Sequence, residues 1–173
     1  MEEIIKEVLK EIKNISYGWC DSFGVVHHHA KINYFKENYR TMSLDSIINN
    51  KVGTCIEQVY YTRYLLNKRG IDSKSYIIIY NDPSKIARHT ICVVNDSNKY
   101  YLVENEWNVD GLKVFASINE LLESIVNGYP RMYKIDNFNR DLIEIYNYDS
   151  YVEGISLDEF TNNCRKAKKI ELI

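Results

Sequence analysis

The run Lys51-Val52-Gly53-Thr54-Cys55-Ile56-Glu57-Gln58 is the stretch that decides the fold. Thr54 and Glu57 have the spacing of a capping box, in which each side chain accepts a hydrogen bond from the other residue's backbone N–H at the start of a helix. This spacing predicts a helix whose first residue is Cys55. Lys68-Arg69-Gly70 predicts its end, because basic residues followed by a glycine are typical of helix C-termini.

A cysteine at the start of a helix is in a chemically favoured position. A thiol reacts as the thiolate, which the unpaired N–H groups and the dipole of a helix N-terminus stabilise. We therefore expect Cys55 to be a nucleophile. A thiolate also needs a base, normally histidine, and that histidine needs an acceptor to orient it. The other cysteines are expected to be small core residues and free thiols: Cys20, Cys92 and Cys164.

Three strand patterns follow the predicted helix. They cover residues 74–80, 88–94 and 99–104, and a polar four-residue run, 95–98, joins the last two as a hairpin. Counting across this connection places Val94 near Lys99 and His89 near Glu104. Glu104 is thus expected to accept a hydrogen bond from His89. On the residues alone, His89 could instead be a core histidine and Glu104 a solvated charge.

The other predicted elements lie on both sides of this region. They are a helix over 2–14, a turn-rich segment over 15–30, a short helix capped by Ser43, a helix from a capping box at Ser117 and Glu120 to Gly128, strands over 131–135 and 142–148, and a helix from a capping box at Ser156 and Glu159 to about Lys168. Helices segregated from an antiparallel sheet predict an α+β fold.

The order of these motifs resembles a known family. The runs 53–58, 65–71, 89–90 and 100–107 look like the core of the transglutaminase-like superfamily, which includes papain-like thiol enzymes. The resemblance covers about residues 40–110. It implies a papain-like, transglutaminase-like α+β domain over residues 1–173, of the bacterial stand-alone kind, with N-terminal helices and the nucleophile helix packed on an antiparallel sheet.

The resemblance also implies roles for residues. Cys55 would be the nucleophile, His89 the base and Glu104 the residue that orients His89. The acid in the superfamily is more often Asp, so Asn105 or Glu106 could be the orienting residue instead.

The same resemblance suggests further site residues. Trp107 fits the aromatic residue that often closes the motif. An oxyanion hole needs donors aimed at the developing charge, and the Cys55 backbone N–H would be one. Tyr17, Trp19 and Gln58 are candidates for the second donor.

These residues imply acyl transfer through a thioester, with no cofactor and no calcium requirement. The substrate would be a peptide, a protein or a small amide, and the outcome would be hydrolysis or transfer to an amine. Two alternatives stay open. One is a non-catalytic module that binds a peptide or partner in the same cleft. The other is a small-molecule N-acyltransferase, although the glycine-arginine context usual before the cysteine of arylamine N-acetyltransferases is missing.

Composition excludes other classes of protein. The formal net charge is −2, which offers no electrostatic footprint for nucleic acid. No apolar run approaches the roughly 20 residues that span a bilayer, and the first residues predict an amphipathic helix, so we expect a cytoplasmic protein without membrane partners. Adjacent histidines on a strand face opposite ways, so the run 27–29 is not expected to bind a metal, although one of the three could line the cleft.

Overall fold

A computed structural model describes residues 1–29, 31–105 and 112–172, and in this part the chain is α+β. The helices are α1 (Glu2–Ile12), α2 (Ile32–Asn38), α3 (Leu44–Asn50), α4 (Cys55–Lys68), α5 (Ile118–Tyr133) and α6 (Leu157–Arg165). The strands are β1 (Ser16–Tyr17), β2 (Trp19–Cys20), β3 (Val26–His27), β4 (Val52–Gly53), β5 (Lys74–Asp82), β6 (Lys85–Asp96), β7 (Lys99–Val103), β8 (Lys113–Phe115), β9 (Ile143–Asn147) and β10 (Lys168–Lys169).

The main sheet has six antiparallel strands in the order β10-β9-β5-β6-β7-β8. Strands β5 to β8 form a meander, and β9 joins the free side of β5 after the chain has passed through α5. Two short pairs lie outside the sheet. β1 pairs with β4 in parallel, and β2 pairs with β3 as a small antiparallel hairpin.

Helices cover both faces of the sheet. α1 and α4 pack on one face, where Cys92 and Val94 of β6 belong to their apolar cluster. α5 packs on the other face, against Ile91 and Val93. Successive side chains of a strand point to opposite faces, so His89 belongs to the α5 face. Strand β7 pairs only with the second half of β6, from Cys92 onwards.

The predicted end of the fifth helix and the strand after it were wrong. α5 does not stop at Gly128 but continues to Tyr133, through the segment expected to be a strand. Its buried face carries on to Tyr129, which is fully buried against the sheet. The free energy gained by burying Tyr129 outweighs the loss of the backbone hydrogen bond that Pro130 cannot donate. The helix ends at Tyr133, and the next residue, Lys134, has the left-handed conformation with φ 52°.

The register predicted for the β6–β7 hairpin was also wrong, by two residues. The turn consists of Ser97 and Asn98 alone, with φ values of 51° and 67°. Two positive φ values are what a two-residue turn needs to match the twist of its strands. As a result Val94 pairs with Tyr101 rather than with Lys99. A shift of two residues keeps every side chain on its predicted face.

Smaller differences concern helix ends. The capping box that opens α6 is confirmed, but the helix ends three residues earlier than predicted because Lys168-Lys169 form β10. Ser117 caps α5 as predicted, whereas the carboxylate of Glu120 accepts its hydrogen bond from the N–H of Ala116 instead of Ser117. Helix α2 was not predicted from the sequence.

Candidate active site

Helix α4 begins at Cys55, and the predicted capping box is present. The Thr54 hydroxyl oxygen accepts from the Ile56 N–H at 3.3 Å, and the Glu57 carboxylate accepts from the Thr54 N–H at 2.9 Å. Cys55 is half-buried, and its amide is at the first helical position, where a helix offers the N–H no acceptor. A thiolate here would lie against the positive end of the helix.

Glu57 links the start of α4 to the segment between α2 and α3 by hydrogen bonds. Its carboxylate is fully buried and accepts from the Tyr39 hydroxyl at 2.5 Å and from the Met42 N–H at 3.4 Å, besides Thr54. Burial raises the pKa of Glu57, and the hydrogen bonds from Thr54 and Tyr39 oppose that rise. These contacts support the capping interpretation of Glu57 and tie the Cys55 backbone to the connection between α2 and α3.

His89 and Glu104 form a buried pair. Nε2 of His89 lies 2.8 Å from Oε1 of Glu104, and the two side chains are 3% and 5% exposed. His89 lies in the half of β6 that β7 does not reach, and Glu104 directly follows the end of β7. In the observed register the two residues are diagonal neighbours on one face, within reach of long side chains. The structure therefore brings this predicted pair together even though the predicted register was wrong.

The Cys55 side chain lies close enough to the His89 ring to favour its charged form. Since Nε2 faces Glu104, the ring nitrogen that remains for Cys55 is Nδ1. Burial alone would lower the pKa of His89, but the nearby Glu104 carboxylate and Cys55 side chain outweigh it and raise the pKa to about 10. The imidazole is thus held in its protonated form at neutral pH, between a carboxylate and a thiol.

The alternative orienting residues are not equivalent to Glu104. The Asn105 amide donates to the backbone carbonyls of Ile15, at 3.3 Å, and Ile12, at 3.5 Å, so it joins the end of α1 to the end of β7. Glu106 and Trp107 lie outside the described residues. Among the described candidates, Glu104 is the one bonded to His89.

The candidate oxyanion donors lie at different positions around Cys55. Tyr17 pairs with Gly53, two residues before the nucleophile, and its own side chain is half exposed. Trp19 is buried in an apolar cluster against which Cys55 packs. The Gln58 amide donates to the Gly53 carbonyl at 3.1 Å. Gln58 also lines a narrow gap together with Cys55, Glu104, Thr90 and others.

Gly53, two residues before Cys55, has no room for a side chain. A Cβ atom on Gly53 would lie 2.8 Å from Cβ of Glu57 and 3.6 Å from Cγ of Gln58. Real Cβ atoms do not approach that closely. Any side chain at this position would push on the capping residue that holds Cys55 in place.

Tyr129 lies beside this site and was missed by the sequence interpretation. Its hydroxyl donates to the Ile78 carbonyl at 2.7 Å, on the strand position that pairs with His89. Burial raises its pKa well above the ordinary value, and the nearby charges of Tyr133, Cys55 and Glu104 add to the effect. It was missed because the helix was expected to end at Gly128. The four-residue spacing of Leu121, Ile125 and Tyr129 was the signal that could have extended it.

The other cysteines have different surroundings from Cys55. Cys20, Cys92 and Cys164 are buried, and burial raises the pKa of each thiol, for Cys92 and Cys164 to about 12. All four cysteines are free thiols. Cys55 is the one that is half-buried, at a capped helix start and beside a histidine.

His27 and His28 are hydrogen-bonded to neighbouring residues of the N-terminal part of the chain. Nε2 of His27 lies 2.8 Å from Oδ2 of Asp21, and Nδ1 of His28 lies 3.0 Å from the Tyr17 carbonyl oxygen. Within residues 1–29, 31–105 and 112–172, no three His, Cys, Asp or Glu side chains are grouped as a metal site would require.

No helix in those ranges has both the length and the apolar character needed to cross a membrane.

Comparisons with known proteins add no relative. A scan against protein-family models gives no match, and a search of curated proteins gives none either. The resemblance to the transglutaminase-like superfamily therefore stays a prediction from the residues of the chain.

Proposed function

We propose that this protein is a thiol-dependent acyl-transfer enzyme with a Cys55-His89-Glu104 triad, on a papain-like, transglutaminase-like fold. One observation carries the proposal: the thiol at a capped helix start lies beside a histidine that a buried carboxylate holds from its other side. A nucleophile, a base and an orienting acid in that order are the minimal set for nucleophilic catalysis by a thiol.

The chemistry follows from the protonation states. In the proposed reactive form, Cys55 attacks as the thiolate, which the helix N-terminus and the neighbouring His89 imidazolium both favour. The sulfur attacks the carbonyl carbon of an amide and forms a C–S bond. When the C–N bond breaks, the imidazolium gives its proton to the leaving nitrogen, which departs as an amine. The products of this half are a thioester on Cys55 and a neutral His89.

The second half regenerates the enzyme. Neutral His89 takes a proton from water or from an amine as that nucleophile attacks the thioester carbonyl. The C–S bond then breaks, and the thiolate returns beside the imidazolium. Water releases a carboxylic acid, whereas an amine releases a new amide. Glu104 keeps Nδ1 directed at Cys55 throughout, because its bond to Nε2 fixes the ring.

The negative charge on the carbonyl oxygen needs donors in both halves. The Cys55 N–H is the first donor we assign, since the helix gives it no acceptor of its own. Trp19 and Gln58 are the side chains we keep as candidates for the second, because both lie in the clusters that contact Cys55.

The test is the rate at which each cysteine is alkylated. Iodoacetamide should modify Cys55 at pH 7 at least about tenfold faster than the buried thiols Cys20, Cys92 and Cys164, because only an accessible thiolate reacts. Intact mass and peptide mapping would measure this. Cys55→Ala should remove the fast phase, and Cys20→Ala is the matched control that should leave it unchanged.

A second measurement separates the reactions. The protein is incubated with peptides and, separately, with acyl-CoA. We expect intact mass to show an acyl adduct on Cys55 after incubation with the peptides. An adduct with acyl-CoA alone would favour the small-molecule N-acyltransferase. Uniform, slow alkylation of all four cysteines would contradict the triad and favour a non-catalytic binding module on the same fold.

A further inference from the structure

A small cavity lies between helix α4 and the main sheet. Its volume is about 20 Å³, and its walls come from α4, β5, β6, the segment after β9 and helix α6. Arginine, threonine, serine and tyrosine side chains line it together with apolar ones. A cavity of about 10–15 Å³ is enough to hold one water molecule, provided that polar groups face it. This cavity is therefore large enough for a single water.

Two of the lining residues have a buried polar atom without a hydrogen-bond partner. Thr90 is 5% exposed, and its Oγ1 bonds to no other atom in the described part of the chain. Arg63 donates from Nη1 and Nη2 to the carbonyl oxygens of Asp149 and Ser73, but its buried Nε has no acceptor among the described residues. An unpaired polar atom away from water is costly, and buried polar atoms that lack a protein partner commonly bond to ordered water.

The chemistry of the two atoms suits one water between them. The Nε–H group of Arg63 can only donate, and the Thr90 hydroxyl oxygen can accept. A water molecule accepts from the first and donates to the second, which satisfies both atoms at once. Because both residues line the same small cavity, a molecule inside it lies beside both side chains.

Such a bridge would join the two elements that carry the proposed nucleophile and base. Arg63 is on α4, which begins at Cys55. Thr90 directly follows His89 on β6. Thr90 also lines the narrow gap that Cys55 and Glu104 line. A water held by Thr90 thus ties β6 to α4 next to the thiol and the imidazole.

We propose that the cavity binds one ordered water molecule, which bridges Arg63 and Thr90, and that Thr90 is thereby a positioning residue for the Cys55 thiol. The positioning role rests on the proposed function, whereas the water site does not. The bridge holds the helix and the strand at a fixed separation, so that the His89 imidazole stays beside the sulfur. Bond-making stays with the triad.

The water site is tested with Thr90→Val, which keeps the shape of the side chain and removes its hydroxyl. A crystal structure of the wild-type protein should show one water within about 3.2 Å of both atoms, and the variant should lack it. Thr90→Val should also lower the urea midpoint of unfolding by about 0.5 M, because Arg63 Nε loses its bridged partner. A crystal structure without that water, or a higher midpoint in the variant, would overturn the water site.

The positioning role is tested by alkylation of Cys55 with iodoacetamide across a range of pH. Thr90→Val should slow alkylation about fivefold at pH 7 and move its rise to higher pH, because a displaced imidazolium stabilises the thiolate less. Thr90→Ser, which keeps the hydroxyl, should react like the wild-type protein. Thr161→Val is the matched control. It removes a buried hydroxyl that donates to the Leu157 carbonyl at 2.7 Å on α6, and it should lower stability without changing the profile.

The same pH profile in Thr90→Val and Thr161→Val, or a loss that Thr90→Ser does not restore, would overturn the positioning role. Failure of the proposed function gives a different result. If wild-type Cys55 is alkylated no faster than the buried thiols, the triad and the positioning role fall together. The crystal structure and the urea midpoint decide the water site in either case.

Discussion

Two histidine–carboxylate pairs in the described part of this molecule have the same nitrogen–oxygen distance but different surroundings. In both, Nε2 lies 2.8 Å from a carboxylate oxygen: His89 with Glu104, and His27 with Asp21. The His89 side chain is 3% exposed, and that of His27 is 21% exposed. The first pair joins two strands beside a thiol, and the second closes a hairpin.

The neighbours of each carboxylate explain the difference. Asp21 accepts bonds from two backbone N–H groups and a tyrosine as well as from His27. The bond from His27 and those N–H groups lower the pKa of Asp21 to about 2, against the effect of burial. In the other pair it is the histidine whose pKa is raised, because Glu104 and Cys55 both favour its charged form. A histidine–carboxylate distance alone therefore does not distinguish the two pairs. The proposed catalytic role of His89 and Glu104 rests on the third group, the Cys55 thiol beside them.

The largest effect should come from replacing each histidine with glutamine, whose amide can still donate to the carboxylate. His89→Gln should slow alkylation of Cys55 at pH 7 by about a hundredfold, because the thiolate loses its cationic partner. His27→Gln should leave that rate within about twofold. The measurement is the rate of mass increase with iodoacetamide. A similar decrease of the Cys55 alkylation rate in both variants would show that the two pairs do not differ in their effect on Cys55.

Removing the charge of the orienting acid should have a smaller effect. Glu104→Gln should slow alkylation of Cys55 about tenfold at pH 7, because the pKa of His89 falls when the Glu104 charge is gone. The rise of the alkylation rate with pH should move to higher pH, because a weaker cation stabilises the thiolate less. Asp21→Asn is the control that should leave this rise in place. A profile that stays in place would mean that Glu104 does not act on His89.

The two pairs should lose their stabilising effect at opposite ends of the pH scale. The His89 pKa is raised from 6.5 to about 10, so its contribution to stability is complete below pH 6.5 and is lost as pH rises through 10. The Asp21 pKa is lowered from 3.8 to about 2, so its contribution is complete above pH 3.8 and is lost as pH falls through 2.

Urea unfolding at a series of pH values would measure both contributions. For the buried His89, this change in the free energy of unfolding is at most about 1.4 kcal/mol per pH unit within its range. His89→Gln should flatten the alkaline side alone, and Asp21→Asn the acid side alone. A change on the same side in both variants would contradict the assignment of these ranges.

The smallest effect concerns the hydroxyl that links α2 to the hairpin. Tyr34→Phe removes one hydrogen bond to Asp21 and should lower the free energy of unfolding by about 1 kcal/mol. The rate of Cys55 alkylation by iodoacetamide should stay unchanged. Circular dichroism during thermal unfolding and the alkylation assay would check the two statements. A slower alkylation would show that the second pair also supports the thiol.

The parts of the site that sequence could predict are those set by local geometry. The capping box at Thr54 and Glu57 involves neighbours in the chain, so the start of α4 and the position of Cys55 followed from spacing alone. Two-residue periodicity placed His89 and Glu104 on one face, and this survived a register error because the error was an even number of residues. The turn of Ser97 and Asn98 was misjudged because neither residue requires a positive φ.

What the sequence by itself determined is therefore the helix start that presents Cys55, three of the four strands of the meander and the α+β class. Only the tertiary structure decided which nitrogen of His89 faces which partner, how far α5 runs, and that Asp21 joins a hairpin to α2. These features depend on contacts between residues far apart in the chain, such as Tyr129 with Ile78, whose energies no local pattern records.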